Sequence, residues 1–479
     1  MCKRGHGVSR LNIRKSIMVM PALAFVVLAG LAPEPARGEP WRVASALDLP
    51  DWLRLSGEIR GRYESLDGQF RRDFQGSDQV LVFRSLMQME IDAGPITFGA
   101  ELQDSRAYFD DDGTPLSSSF VDPLDLLQAY VKFEAPGVLG PGSSTEVILG
   151  RQTVSIGSKR QVERVDYANV IRAFTGLHAI SRNERGDELH AVYVALVGRF
   201  PTERDLLEDN VLQSDQEQWR RRVWAVHYRR ADILPDLLSD VWGEVFIYGL
   251  DEDDTDAIAT PNRNYATPGF RFFRAPKAGQ WDLDIEGSLR FGNRRASSRP
   301  DDTERLETIA SQILLRVGYT FDAPWRPRIA AQYYWTSGDD DPDDTRFDQY
   351  ERLFGGRRTD LNNTSIHGPL TPANLSAPGL RFDVRAQAGW DARLHYSAPF
   401  LASETDSFVI ARLRDPAGRS GRFLGHTLDA RFRTWLWPGV ARLEIGGSAF
   451  VFGRFTQSVP DGPQGGRTLF GYTQMTVYF

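Results

Sequence analysis

The 479-residue chain is poor in several things at once: it has one cysteine, Cys2, and five lysines. Beyond residue 31 no apolar run is long enough to cross a bilayer as a helix. The lone cysteine excludes a disulfide framework and any cysteine-built zinc site. The missing apolar helices exclude a helical polytopic membrane protein, but not a barrel. Basic residues are also in deficit, 57 Lys+Arg against 64 Asp+Glu, a formal charge of −7. That balance argues against a partner held by its phosphates, so no nucleic acid is expected. Catalytic signatures are missing too: there is no Gly-x-Ser-x-Gly, no phosphate-cradling loop ending in Gly-Lys, no His-Glu-x-x-His and no dinucleotide fingerprint. With 11% aromatics and 41% hydrophobic residues, bulk disorder is excluded as well.

The amino terminus reads as a removable address. Arg10, Arg14 and Lys15 precede an apolar stretch from Ile17 to Leu31, and Ala36 and Gly38 stand before Glu39 at cleavage-site spacing. Residues 1–38 are therefore expected to be a signal peptide and residues 39–479 the mature domain. Cleavage removes Cys2, six of the basic residues and one acidic residue, leaving a formal charge of −12. Lys132, Lys159 and Lys277 are the lysines that remain, so arginine supplies nearly all positive charge.

What the chain does contain is a strand grammar. Leu55, Gly57, Ile59, Gly61 and Tyr63 alternate with Arg54, Ser56, Glu58, Arg60, Arg62 and Glu64. A period of two with one apolar side is a strand between two different surroundings. The pattern returns at Leu81–Ile91, at Leu127–Glu134, at Trp281–Phe291 and at Leu380–Trp390, and last at Leu469–Phe479. About eighteen such strands fit, with no domain break, at the spacing of tilted strands joined by alternating short turns and long loops. One closed, all-β antiparallel barrel is the expected fold. So many charges on one face need water, which places that face toward a lumen and the apolar face toward lipid. Trp242, Trp281, Trp335, Trp390, Trp435 and Trp437 at strand ends suit interfacial girdles. Turns such as 93–95 and 437–439 read as periplasmic, and the stretches 251–270, 337–379 and 459–467 as outer loops.

Local chemistry is sparse. The histidines His178, His190, His227, His367, His395 and His426 are never at close ligand spacing. A lipid-ester hydrolase whose Ser and His meet only in the fold is the weaker alternative to a channel without turnover. The run Gly338–Asp344 invites a calcium reading at Asp339, Asp341 and Asp343, but its spacing departs from an EF-hand, so a solvated acidic loop is the plainer reading; Asp110–Asp112 and Asp251–Asp254 read the same way. More informative is Leu149–Arg160, followed by Arg164, Asp166, Tyr167, Asn169, Arg172, Phe174 and Gly176, which mixes glycines with cations too irregularly for a strand pair. A loop that carries these into the lumen would set guanidinium forks across the path of a carboxylate. Equally, they could form Arg–carboxylate pairs that brace the wall.

The same stretch resembles the alginate export family of outer-membrane barrels. Gly150-Arg151-Gln152, Gly157-Ser158-Lys159-Arg160 and Tyr167-Ala168-Asn169-Val170-Ile171-Arg172-Ala173-Phe174-Thr175-Gly176 are similar to its motifs, as are Leu127–Val131, Ser337–Pro342 with Leu353-Phe354, and the aromatic end at Phe479. The departures are Tyr167 where the family has Trp, Thr175 where it has Asp, and Gln161-Val162-Glu163 in place of an apolar run. The resemblance implies an eighteen-stranded barrel of the bacterial outer membrane, a monomer, that passes an anionic polyuronate through an arginine-rich lumen. It also implies bilayer lipid and the barrel assembly machinery, engaged through Phe479, as partners, together with periplasmic export proteins. Uptake of a small carboxylate by the same fold is the alternative. The expected pathway is Arg60, Arg62, Arg84, Lys132, Arg151, Arg160, Arg172, Arg290, Arg385, Arg431 and Arg433, with Asp166 and Asn169; no cofactor is expected beyond calcium in an acidic loop.

Overall fold

In the strand Arg305–Thr320, Leu306, Thr308, Ala310, Gln312, Leu314 and Arg316 are buried while Ile309, Ile313, Leu315 and Val317 are exposed. A strand that hides glutamine and arginine and shows isoleucine and leucine to its surroundings is built to face hydrocarbon. The computed structural model describes residues 41–255, 258–341, 343–386 and 389–479, and this inversion recurs through them. The expected leader, residues 1–38, lies outside the described residues, as do Gln387 and Ala388 of one alternating run and Pro342 of the acidic run.

Eighteen strands follow in order among the described residues: β1 (Leu53–Asp67), β2 (Ser77–Asp92), β3 (Ile96–Tyr108), β4 (Asp122–Pro136), β5 (Ser144–Gln152), β6 (Phe174–Arg182), β7 (Glu188–Gly198), β8 (Gln216–Arg230) and β9 (Val241–Glu252). The second half comprises β10 (Asn264–Arg274), β11 (Gln280–Arg295), β12 (Arg305–Thr320), β13 (Arg328–Thr336), β14 (Leu375–Arg385), β15 (Trp390–Ser397), β16 (Gly425–Trp437), β17 (Ala441–Phe452) and β18 (Arg467–Tyr478). Each pairs antiparallel with its sequence neighbours, and β1 pairs with β18 from Glu58–Tyr478 to Asp67–Leu469, so the sheet is a closed barrel. Phe479 extends that seam by exchanging backbone hydrogen bonds with Gly57 at 3.0 and 3.1 Å. Closure leaves no sheet edge unpaired in lipid.

With an even strand number, both barrel ends of the chain fall at one rim. That rim carries the short connections, such as 93–95 and 438–440, and is the periplasmic one. The opposite rim carries 153–173, 199–215, 337–374 and 398–424. Strands β9, β10 and β14 reach into the stretches expected to be loops, which shortens those loops to 253–263 and 337–374. Trp242, Trp281, Trp390, Trp435 and Trp437 stand at the periplasmic ends of their strands, and Trp335 near the outer end of β13. Leu127 departs from the expected alternation. It is buried beside Gln128, because β4 carries extra residues against β3 on both sides of Leu102–Gln103 and the bulges shift the faces.

The lumen is not the open wet bore that the charged face suggested. Arg290, Arg62 and Arg84 point inward at 0%, 1% and 2% exposure. They are covered because two outer loops, 153–173 and 337–374, fold inward and fill the barrel with partners for them.

Candidate functional site

The inward loops are held by arginines of the wall. Arg60 donates to the carbonyls of Asp166 (2.8 Å) and Ala168 (2.7 Å) and to Asn169 Oδ1 (3.3 Å). Arg84 reaches the same two carbonyls at 2.9 and 2.6 Å, and Arg62 takes that of Tyr167 at 2.8 Å. Asn169 Nδ2 in turn donates to the Phe120 carbonyl at 2.6 Å. A guanidinium carries five fixed donors, so a few of them satisfy a whole irregular segment that no sheet partner could. The two loops also hold each other: the Phe354 N–H donates to Gln161 O (2.8 Å), and Gln161 Nε2 to the Tyr350 hydroxyl (2.9 Å). Arg290 donates to the Glu351 carbonyl and lies 4.4 Å from the Tyr350 ring centroid.

Arg160, at the tip of the first loop, meets three carboxylates: Asp284 and Glu286 of β11 at 2.6 Å each, and Asp360 of the second loop at 2.9 Å. Arg271 and Arg316 extend the cluster to Glu244 and Asp284. Burial alone would raise the Asp360 carboxyl, yet Arg160 and Arg316 hold it well below the usual carboxylate range. Arg358 pairs with Glu444 at 2.6 Å and lies 3.5 Å above the Tyr167 ring. All of these cations are spent on structure.

A second group gathers around one cavity. Arg172, Arg199, Arg352 and Arg357 have no carboxylate within salt-bridge reach among the described residues. Arg352 and Arg357 donate to loop carbonyls, at 2.6 Å to Gly355 O and at 2.9 and 3.0 Å to Gly368 and Leu370 O. Arg199 has one long contact to Val170 O at 3.5 Å, and Arg172 stacks 5.0 Å from the Phe354 ring. Burial, then the fields of Arg199 and Arg352, push the Arg172 pKa well below the guanidinium range, and burial with Arg352 brings Arg357 down to about 9. Unpaired like charges in a partly desolvated place are what an incoming anion would relieve.

These four border a cavity of about 420 Å³ that also takes in Arg385, Arg393, Arg431 and Arg433 of β14 to β16. Its lining holds ten arginines against four carboxylates, Glu163, Asp166, Asp383 and Asp391, so the local field is positive although the chain is acidic. Asp383 and Asp391 pair with Arg393 (2.8 Å) and Arg433 (3.0 Å), whereas Arg385 has no such partner among the described residues. Burial raises Glu163 to about 7, against the attraction of Lys159 and with the help of Asp166 and Asp360. A second chamber of about 430 Å³ shares Thr359, Asp383, Arg385 and Arg393 and runs to Lys277 and Arg326 at the periplasmic turns. Together their linings extend from the periplasmic turns to Ser119 and Phe120 near the outer rim.

Of the residues expected on the pathway, Arg62, Arg172, Arg385, Arg431, Arg433, Asp166 and Asn169 line the first chamber. Arg60, Arg84, Arg160 and Arg290 are buried in loop-holding contacts, and Lys132 lines neither chamber. Arg151 does not face the lumen. Strand alternation puts it on the side of exposed Leu149, opposite Thr175 and Ala129, where it pairs with Asp125 (3.2 Å) and Glu217 (2.8 Å). Asp339, Asp341 and Asp343 are not brought within common ligand reach; Asp341 Oδ1 instead accepts the Asp343 N–H at 3.3 Å. Arg199, Arg352, Arg357, Arg381 and Arg393 were not among the residues expected on the pathway; Arg381 carried a signal as the charged neighbour of Leu380 and Phe382, and Arg393 in its alternation with Leu394 after Asp391. The histidines separated in sequence also meet: His178 Nε2 lies 2.9 Å from His190 Nδ1, and the His190 and His227 rings are 5.9 Å apart, because β6, β7 and β8 are neighbours.

A family model described as alginate export matches residues 51–467. No curated protein matches the chain. Among solved structures, OccK9 (OpdG) of Pseudomonas aeruginosa is similar at 14% identity and a TM-score of 0.57, over 89% of this chain and 98% of that one. A BenF-like porin of Pseudomonas fluorescens Pf-5 is similar at 12% identity and a TM-score of 0.56, with the same coverage. OccK2 (OpdF) of Pseudomonas aeruginosa, solved with glucuronate, is similar at 12% identity and a TM-score of 0.52, over 89% of this chain and 96% of that one.

Proposed function

We propose, for a chain that belongs to the alginate export family and resides in the bacterial outer membrane, that its channel carries an anionic polyuronate of the alginate type out of the cell. The observation that carries this reading is the set of carboxylate-free arginines, Arg172, Arg199, Arg352 and Arg357, on a cavity lined ten to four by cations. A carboxylate entering from the periplasmic chamber meets Arg385 first, then the cluster between the two inward loops. Guanidinium forks bind carboxylates bidentately without losing their charge. Several such sites in series hand a polymer along, where one deep site would trap it. The paired carboxylates Asp383 and Asp391 temper the field along the wall.

Uptake of a single small carboxylate is a second reading. It is favoured by the size of the first chamber, about 420 Å³, which falls in the ~300–1,000 Å³ range of small-molecule sites. The glucuronate bound by OccK2 points the same way.

Planar-bilayer reversal potentials test the common element. Anion preference in the wild type that collapses in Arg172→Ala with Arg352→Ala is the expected result; cation preference, or a preference the double variant leaves intact, overturns it. Liposome swelling then separates the two readings. Polyuronate oligomers that permeate support export, and permeation by the monomer alone supports uptake.

A further inference from the structure

Three carboxylates gather at the outer rim and line neither chamber of the anion passage. Asp122 opens β4, Asp125 follows on the same strand, and Asp215 immediately precedes β8. One oxygen from each lies within 4.8 Å of the others. Residues three apart on a regular strand point to opposite faces. Here an extra residue of β4 sits between the Gln103–Asp125 and Ser105–Asp122 pairs, and Leu124 takes φ 48°, so both carboxylates swing to one place.

The protein satisfies only one oxygen of each group. Gln103 donates to Asp122 Oδ2 (3.0 Å), Arg151 to Asp125 Oδ2 (3.2 Å) and the Phe200 N–H to Asp215 Oδ1 (2.8 Å). Asp122 is 1% exposed and its Oδ1 is buried without a hydrogen-bond partner among the described residues. A buried, donor-less carboxylate oxygen beside two more carboxylates is costly unless something positive sits among them. Arg199 is near enough to feel Asp215 and Asp122 but makes no ion pair with either.

We propose that Asp122, Asp125 and Asp215 hold a divalent cation of the calcium type that ties the loop 109–121 to the loop 199–215 at the outer mouth. Hard cations of that size take carboxylate oxygens at about 2.4 Å, so ligands on opposite sides of the ion stand roughly 4.8 Å apart. Magnesium would need closer, octahedral ligands and keeps its waters. The tie has a consequence for the passage: Ser119, Phe120 and Arg199, which line the first chamber, belong to the two loops it joins.

The test uses the full barrel purified in detergent, stripped with EDTA and dialysed against calcium chloride, with the folded state followed by its heat-modifiable migration on gels. The expected result is that calcium raises the wild-type unfolding temperature, and that Asp122→Asn with Asp215→Asn binds one fewer calcium per chain and loses the rise. If that pair does not fold, Asp215→Asn alone, which keeps an acceptor for the Phe200 N–H, carries the same expectation. Equal calcium stoichiometry in wild type and folded variant overturns the proposal. So does a wild type that ignores calcium but shifts its unfolding temperature with pH, which would mean that a shared proton occupies the cluster.

Discussion

Arg160 and Arg172 lie on one inward loop and meet opposite surroundings. Arg160 is enclosed by Asp284, Glu286 and Asp360, and its charge is consumed in pinning the loop to β11 and to the second loop. Arg172 has an aromatic face and four other arginines for company, Arg199, Arg352, Arg221 and Arg263, and on the reading proposed above its charge is left for a guest. Residue type does not tell these two surroundings apart; what each guanidinium reaches across the lumen does. The comparison also explains how a channel can be crowded with arginine without being a trap for anions. Many of the arginines are already occupied by carboxylates or loop carbonyls, and on the reading proposed above a few of the rest set the selectivity.

The largest effect expected from breaking this contrast is on the braced side. Arg160→Ala removes the one cation that Asp284, Glu286 and Asp360 share, leaving them only Arg271 and Arg316, and losing one partner of a buried ion pair costs up to about 3–5 kcal/mol. A matching drop in the denaturant midpoint of the refolded barrel checks this. On the open side the sign differs. Arg172→Ala with Arg352→Ala should leave stability within about 1 kcal/mol of the wild type, because it removes like-charge repulsion along with favourable stacking. It should nonetheless abolish most of the anion preference. A double variant as unstable as Arg160→Ala would show that both groups are structural.

A smaller effect is expected from pH. Glu163, raised to about 7, loses its charge as pH falls through neutrality, which makes the chamber more positive. Anion preference should therefore increase from about pH 8 to about pH 6 and stay flat in Glu163→Gln. The stability linkage has the same direction. A carboxyl whose folded pKa lies above its unfolded value of about 4.3 binds its proton more tightly when folded, so its contribution is complete below that value and is lost as pH rises through about 7. Smallest of all is Arg151→Ala. This arginine stands outside the lumen, so reversal potentials should not move, although the pairs with Asp125 and Glu217 should cost about 1 kcal/mol. A shift in selectivity would place Arg151 on the path after all.

Much of the barrel was legible in one dimension. Runs such as Leu55 to Glu64 state which side is apolar, and strand count, closure and the short periplasmic turns follow from repetition of that pattern. The inward face was legible as charged, but not as filled. Arg60, Arg62 and Arg84 look alike on paper, and nothing local tells that the carbonyls of Asp166, Tyr167 and Ala168 are waiting for them. Arg352 and Arg357 sit in a long loop without periodicity, so no pattern could assign them a side. Leu127 and Arg151 mark the other limit. A bulge moved the first inward, and the second was placed by its motif rather than by parity with Leu149.

Alternation of polarity is a property of neighbours along the chain, and with it the sequence by itself determined a barrel with lipid outside and ionised groups within. Which of those groups are free is a property of neighbours across the lumen. Arg160 meets Asp360 two hundred residues away, while Arg172 meets no carboxylate among the described residues. Only the folding of two loops into the bore decided that, because a charge becomes available or spent according to what desolvates and pairs it, and those partners are brought together in three dimensions alone.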